Sequence, residues 1–301
     1  MGIIDQVTVF FEGLGLPRFS FNKTAFTLFG RTEFTWSALI LLLAFAAGTT
    51  FALCLCRRRE GIAGEDLFEL ILCTLLGSRA LYLAQSFGAF RGLSWASELC
   101  FFGGLVLAVL LPLLVAGLLR VRADKAADAL APALLLALCI GAFAAFTDGY
   151  ADSAWMRDTS ALNLFGKTVA LPTGDGTLWH LFRMGLYPNR EFADYMIFVH
   201  PLFLYLSVWS LLGFVFSNLF YRHKAFDGQV FLLSLIWVCL GMVFLCGLST
   251  APSAEAVQWL AAIAAVLAAV RLIVLGVAYR RAKRRLEAGL LVIVRGDSAV
   301  S

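Results

Sequence analysis

The chain has 301 residues, of which 61% are apolar and only 15% charged, with a formal net charge of +4 and a mean hydropathy of +0.85. A soluble domain runs nearer half apolar and a quarter charged, so a water-soluble fold has nowhere to put this much Leu, Ala and Phe. Soluble enzymes, solenoids and nucleic-acid binders are excluded, and an integral membrane protein is left.

The first 35 residues (with FFEGLGLPRFSFNKTAFTLFGRTEF inside them) hold no long apolar run and no basic segment ahead of a short apolar one. They do not read as a cleavable signal peptide. Their Phe-rich, weakly charged character fits an outer-face segment at the membrane surface, or a loop. Runs of about 20 apolar residues can cross a bilayer as helices. Seven occur, at 36–56, 66–87, 99–119, 128–147, 200–220, 229–248 and 257–279. The first four form one block, 36–147, and the last three another, 200–279, with a basic tail at 280–301.

Basic residues orient these runs. Arg57, Arg58 and Arg59 follow the first, and Arg120, Arg122 and Lys125 the third. Arg222 and Lys224 follow the fifth, and Arg280, Arg281, Lys283, Arg284 and Arg285 the seventh. All four clusters then share one face, and the opposite short loops carry little beyond Arg91. The excess of Lys and Arg on the cytoplasmic side predicts the N-terminus outside and the C-terminus in the cytoplasm. The expected fold is an all-α membrane protein of seven transmembrane helices, with an outer-face insert at 148–199 between the fourth and fifth. A connection of that length is usually functional or an added small domain. Within it NLFGKTVALP and MIFV fit strands or surface helices equally.

Seven Cys are scattered with no C-x-x-C pair. They read as small hydrophobes, not as a disulfide framework or a zinc site. Ionisable groups at bilayer depth are costly unless paired or wetted, which makes each a functional candidate. Arg79, deep in the second run, calls for a wet cavity and a partner anion: a lipid phosphate, Glu98 or Asp148. The alternative is an ion pair that only locks helix packing. Arg271 lies near the cytoplasmic end of the seventh run, where it can snorkel. Glu65, Asp66 and Glu69 open the second run, where a helix N-terminus favours carboxylates. His200 and Pro201 open the fifth run, with Tyr205 about one turn later. Pro suits a first helical turn, and the His either caps the helix or accepts protons at the outer surface. Phe102-Gly103-Gly104-Leu105 is a small-residue notch admitting a backbone or a lipid tail. Thr147-Asp148-Gly149-Tyr150 reads as a helix end and turn.

In order and spacing, these fragments resemble the bacterial prolipoprotein diacylglyceryl transferase family, whose members have seven transmembrane helices with the N-terminus out. FTWSALILLLAFAAG, with Trp36, resembles the family's first helix. Gly77-x-Arg79-x-x-Tyr82 resembles G-x-R-x-x-Y. Phe102-Gly103-Gly104-Leu105 stands at H-G-G-L, and Asp128-x-x-Ala131-Pro132 matches the segment before the signature. Gly141 to Gly149 falls on the signature G-R-x-G-N-F-x-N-G-E, and His200-Pro201-x-x-Leu204-Tyr205 matches H-P-x-x-L-Y. Gln258, ahead of a final helix ending in YRRAKRR, also fits.

The resemblance implies transfer of the diacylglyceryl group of phosphatidylglycerol to the lipobox cysteine of a preprolipoprotein, in a bacterial plasma membrane. Glycerol phosphate leaves, and no metal or organic cofactor takes part. Such chemistry needs a base to make the thiolate, cations on the headgroup phosphate, and a side opening for lipid. It further implies lipid contacts from Arg79, Tyr82, Phe102, Gly103, Gly104, Asp148, Gly149 and Tyr205, with His200 as the leading base. The departures fall on the chemistry. The histidine of H-G-G-L is Phe102, the signature arginine is Ala142 and its asparagine Ala145. The later asparagine is Asp148, the glutamate Tyr150, and a tyrosine near the start of the first helix is Ser37. The glutamate after H-P-x-x-L-Y is Leu206, and no Lys or Arg occurs from Ala225 through Val270, where the family has a second essential arginine. Three functions follow as expectations: a divergent transferase, a catalytically impaired paralogue that holds lipid or a membrane partner, or an enzyme acting on another lipid or a polyprenyl substrate.

Overall fold

A computed structural model describes residues 6–11, 13–15, 17–22, 24–28, 32–86, 111, 114–147, 161–172, 177–187, 197–249 and 254–297. In chain order the elements are strands β1 (Gln6–Phe10), β2 (Phe19–Asn22), β3 (Thr24–Leu28) and β4 (Thr32–Thr35), then helices α1 (Trp36–Leu55) and α2 (Gly64–Ser86). A helical turn at 114–118 precedes α3 (Ala123–Thr147). The insert supplies β5 (Ala161–Leu164), β6 (Lys167–Ala170), a short α4 (Leu178–Phe182), β7 (Met184–Tyr187) and β8 (Ile197–Val199). The chain ends with α5 (Leu202–Phe220), α6 (Gln229–Gly247) and α7 (Ala254–Asp297).

The protein is a multi-spanning helical membrane bundle. Five of the described helices are long and apolar enough to cross a membrane. α1 starts where Thr35 caps it, its hydroxyl accepting from the Ala38 amide at 3.3 Å and lying 2.8 Å from Ser37 Oγ. α2 carries Glu65 and Asp66 in its first turn, as expected of a helix N-terminus. α7 runs to 44 residues, about 66 Å, against the shorter helix expected from residue 257. Its extension begins with RRAKRRLEA, strong helix formers without proline, so nothing stops the helix where the apolar run ends.

Small β-sheets add to the expected helical architecture. One has the order β2-β1-β7-β8, and the hairpins β3-β4 and β5-β6 form two more. The N-terminal segment, expected as a surface stretch or a loop, is therefore strand-rich. NLFGKTVALP and MIFV resolve as strands. Phe165 (φ 51°) and Gly166 (φ 79°) turn the β5-β6 hairpin, in the positive-φ pair that a tight two-residue hairpin turn requires. In the four-stranded sheet Gly185 lies between Phe10 and Phe198. A Cβ there would overlap the Phe10 ring.

Small residues let the helices approach. Ala44, Gly48 and Ala52, four apart on α1, are buried, and a Cβ on Gly48 would stand 3.0 Å from Ala137 of α3. This is the small-x-x-x-small spacing that membrane helices use for backbone contact. Between α5 and α6 the device is reciprocal. Trp209 and Trp237 stack at 4.5 Å. Each indole N–H donates to the other's carbonyl, at 2.9 and 3.0 Å. Each ring also covers the glycine of the opposite helix, Gly241 and Gly213, where a Cβ would overlap it. Farther along the same seam, Ser217 and Ser234 share a 2.7 Å hydrogen bond. Gly241→Ala or Gly213→Ala is expected to lower stability by about 1–3 kcal/mol through overpacking. Thermal unfolding in detergent should show a depressed midpoint, and an unchanged midpoint would deny the clasp its role.

At the other end of the bundle, charges gather between helix termini. Lys224, just past α5, contacts Glu60 and lies 3.4 Å from both Asp128 and Asp227. Burial alone would lower the Lys224 pKa, but the hydrogen bond to Glu60 and the charges of Asp128, Glu60 and Asp227 hold it above its ordinary value. Tyr221 donates to Glu60. The fully buried Asp128 of α3 accepts from the backbone N–H of Gly228 at 2.8 Å and of Phe231 at 2.9 Å, so it caps the start of α6. Arg122 pairs with Asp227 at 3.0 Å, and Arg271 reaches Asp124 at 3.6 Å, which places Arg271 at the end of the bundle where snorkelling predicts it.

Candidate functional site

β8 delivers the chain from the four-stranded sheet directly to His200. Pro201 then precedes α5, and the Leu202 and Tyr205 amides donate to the carbonyls of His200 (2.8 Å) and Pro201 (3.1 Å). One turn on, the Tyr205 hydroxyl lies 3.4 Å from His200 Nδ1, with the rings 5.9 Å apart. His200 is buried. It adjoins an apolar cluster of Val9, Phe11, Met184, Val199 and Phe203. Phe203 is stacked by Phe146 at 4.6 Å and met edge-on by Phe143 at 5.6 Å, so the seam of α3 and α5 beside the histidine is aromatic.

Of the residues marked by sequence, the structure brings His200 and Tyr205 together. Arg79 and Tyr82 both belong to α2, and their side chains lie outside the described residues. Phe102, Gly103, Gly104, Asp148 and Gly149 also lie outside them. Ala142, at the signature arginine's position, is buried in α3. Ser37, at the tyrosine's position, supports the cap of α1.

Gln258 was expected just ahead of the last helix, but it sits inside α7, which begins at Ala254. Its Nε2 donates to the carbonyls of Asn163 (2.7 Å) and Val243 (3.1 Å), and its Oε1 accepts from the Phe165 amide at 3.0 Å. One buried amide thus joins the β5-β6 hairpin, α6 and α7. Sequence reading also passed over the partnership of Glu60, Asp128 and Lys224. Its one signal was three charges at the ends of apolar runs assigned to the same face.

The sequence profile of the prolipoprotein diacylglyceryl transferase family matches residues 23–279. Curated relatives carry the name phosphatidylglycerol–prolipoprotein diacylglyceryl transferase. One from Bacillus licheniformis is 28% identical over 239 residues, covering 76% of this chain and 81% of the relative. One from Thermotoga maritima is 28% identical over 230 residues, 71% and 70% of the two chains. One from Listeria welshimeri is 25% identical over 231 residues, 73% and 76% of them. The profile match covers most of the sequence, and the chain belongs to the prolipoprotein diacylglyceryl transferase family.

Proposed function

We propose that this chain is a divergent diacylglyceryl transferase of a bacterial plasma membrane, acting slowly on phosphatidylglycerol and a lipobox cysteine. Family membership supports the substrates. The observation that carries a role for this chain's own residues is the His200–Tyr205 pair at the head of α5. In that role His200 Nδ1–H donates to the Tyr205 oxygen, and Nε2 takes the proton of the cysteine thiol. The thiolate attacks the glyceryl carbon, the carbon–oxygen bond to phosphate breaks, and glycerol phosphate leaves with the electron pair. Arg79 is the cation proposed for that phosphate.

A second reading, a lipid-holding paralogue without transfer, is favoured by Ala142, a buried methyl where the family places a guanidinium. Thioether formation on a labelled lipobox peptide, with purified protein and phosphatidylglycerol, separates the two. Slow turnover that His200→Gln abolishes supports the transferase. No turnover from a protein that retains phospholipid through purification supports the paralogue.

Seven helices with the N-terminus outside belong to the same proposal, and parity supports them. β1, ahead of α1, pairs with β7, beyond α3, so the chain returns to its starting face between residues 36 and 147. α1 and α3 are long and apolar enough to cross; with α2 taken as a third crossing, the same parity calls for a fourth, for which the apolar run at 99–119 is proposed. α5, α6 and α7 make seven. Reporter fusions after Arg59, Lys125, Lys224 and Arg285 are expected to read cytoplasmic, and fusions near Gly174 external. A cytoplasmic reading at Gly174 would overturn this orientation.

A further inference from the structure

We propose that the β3-β4 and β5-β6 hairpins are seated in the headgroup layer of the bilayer, with their exposed apolar side chains against lipid. Which leaflet this is rests on the orientation proposed above; contact with lipid does not.

The β3-β4 hairpin puts Phe26 opposite Phe34, and the two rings stack at 5.0 Å. Phe26 is nevertheless 46% exposed. No linker separates the hairpin from the membrane, because Thr35 ends β4 and caps α1. Trp36, the first residue of α1, is 45% exposed, and the exposed Leu41, Leu42 and Leu43 follow it down the helix. The apolar surface of the hairpin is therefore continuous with the lipid-facing wall of a spanning helix.

The β5-β6 hairpin repeats the arrangement from a distant part of the sequence. The Gln258 amide fixes it to α6 and α7 through the three hydrogen bonds given above. Phe165 at its turn packs on Trp259, with ring centroids 4.6 Å apart. Trp259 is 50% exposed, and the exposed Leu260 and Ile263 continue along α7. Every residue of β6 is exposed. Val169, opposite Leu162, is 51% exposed, and Lys167 next to the turn offers a cation at headgroup level.

Single exposed apolar residues need no explanation. These do, because each group lies where a spanning helix begins and each is headed by an exposed tryptophan. Tryptophan gathers at membrane–water interfaces, where its ring spans the apolar and polar layers. A protein partner would need a face separate from the lipid-facing wall, whereas both hairpins extend that wall.

The test places a benzophenone amino acid at Phe26 or Val169 of the full chain, in nanodiscs of phosphatidylethanolamine and phosphatidylglycerol. Illumination and mass spectrometry then read lipid adducts. Thr27 and Thr168 serve as controls, since successive strand residues point to opposite faces. Adducts at 26 and 169 should exceed those at 27 and 168 by at least about fivefold, because only one face of each strand meets lipid. The two hairpins are tested separately, and all four positions are on the surface. Equal yields within each pair, no adducts at 26 and 169, or crosslinks to a second copy of the chain instead of lipid would overturn the proposal.

Discussion

Asp128→Ala should destabilise the protein more than any other single truncation at the bundle's charged end, by about 3–5 kcal/mol. The carboxylate is fully buried and has two tasks. One oxygen faces Lys224 and accepts from Gly228, and the other accepts from Phe231. Removing it leaves two amides at the start of α6 without an acceptor, and a buried donor left unpaired costs about 1–3 kcal/mol. It also leaves Lys224 with one fewer anion. Asp128→Asn loses the charge but keeps one acceptor oxygen, so it satisfies one of the two amides and turns its NH2 on the other; its effect should be smaller than that of alanine. Lys224→Met should be damaging for the opposite reason, since Glu60 and Asp128 would then share a buried site without a cation. Titration from dodecylmaltoside into SDS would order these variants. Wild-type behaviour of Asp128→Ala would show that this end of the bundle is held by apolar packing alone. A cycle with Lys224→Met should also show strong non-additivity, as expected for groups in direct contact.

This cluster shows where reading the sequence stops. Among the described residues, α1, α3, α5, α6 and α7 were legible because a spanning helix writes itself as a run of about 20 apolar residues. Arg57–Arg59, Arg120, Arg122 and Arg280–Arg285 were legible as clusters at the ends of apolar runs, from which an orientation is proposed. The partnership of Glu60, Asp128 and Lys224 was not, since it joins the ends of three helices far apart in sequence. The four-stranded sheet was hidden for the same reason. Its strands have three to five residues, too few to show a period, and β1 finds β7 only after the membrane block closes. The Trp209–Gly213 and Trp237–Gly241 spacings were visible as W-x-x-x-G in two consecutive runs. Their meaning appears only when the helices lie antiparallel and each ring meets the other's glycine. At the candidate site the histidine and tyrosine of H-P-x-x-L-Y were legible as a motif. Their contact was not, because His200 lies ahead of the helix and reaches Tyr205 through the non-helical backbone at Pro201.

Transfer from phosphatidylglycerol to a lipobox peptide should run about 10⁴-fold or more below that of an ordinary family member, because each missing transition-state donor costs about 10²–10³. The resemblance implies that two are absent here: Ala142 falls at one arginine position, and no Lys or Arg occurs from Ala225 through Val270, where the other is expected. With Phe102 in place of histidine, His200 is the base left in the proposed site. Phe102→His combined with Ala142→Arg should still fail to restore the rate. Charged groups on one phosphate act as a unit, and replacing one leaves the transition state under-stabilised. The position itself resists the change. Ala142 is buried in α3 one residue before Phe143, which packs on Phe203 beside His200. A guanidinium there must displace apolar side chains and find its own anion, and a buried charge without a partner is costly. Adding a third cation on α6, in reach of the same phosphate, should raise the rate above that of the double variant. The assay is thioether formation on a labelled peptide, with a relative of ordinary sequence run in parallel. Full restoration by the double variant would show that one arginine suffices on this scaffold. Fast turnover by the unmodified chain would show that His200 and Arg79 meet the chemical demand without the family's other groups.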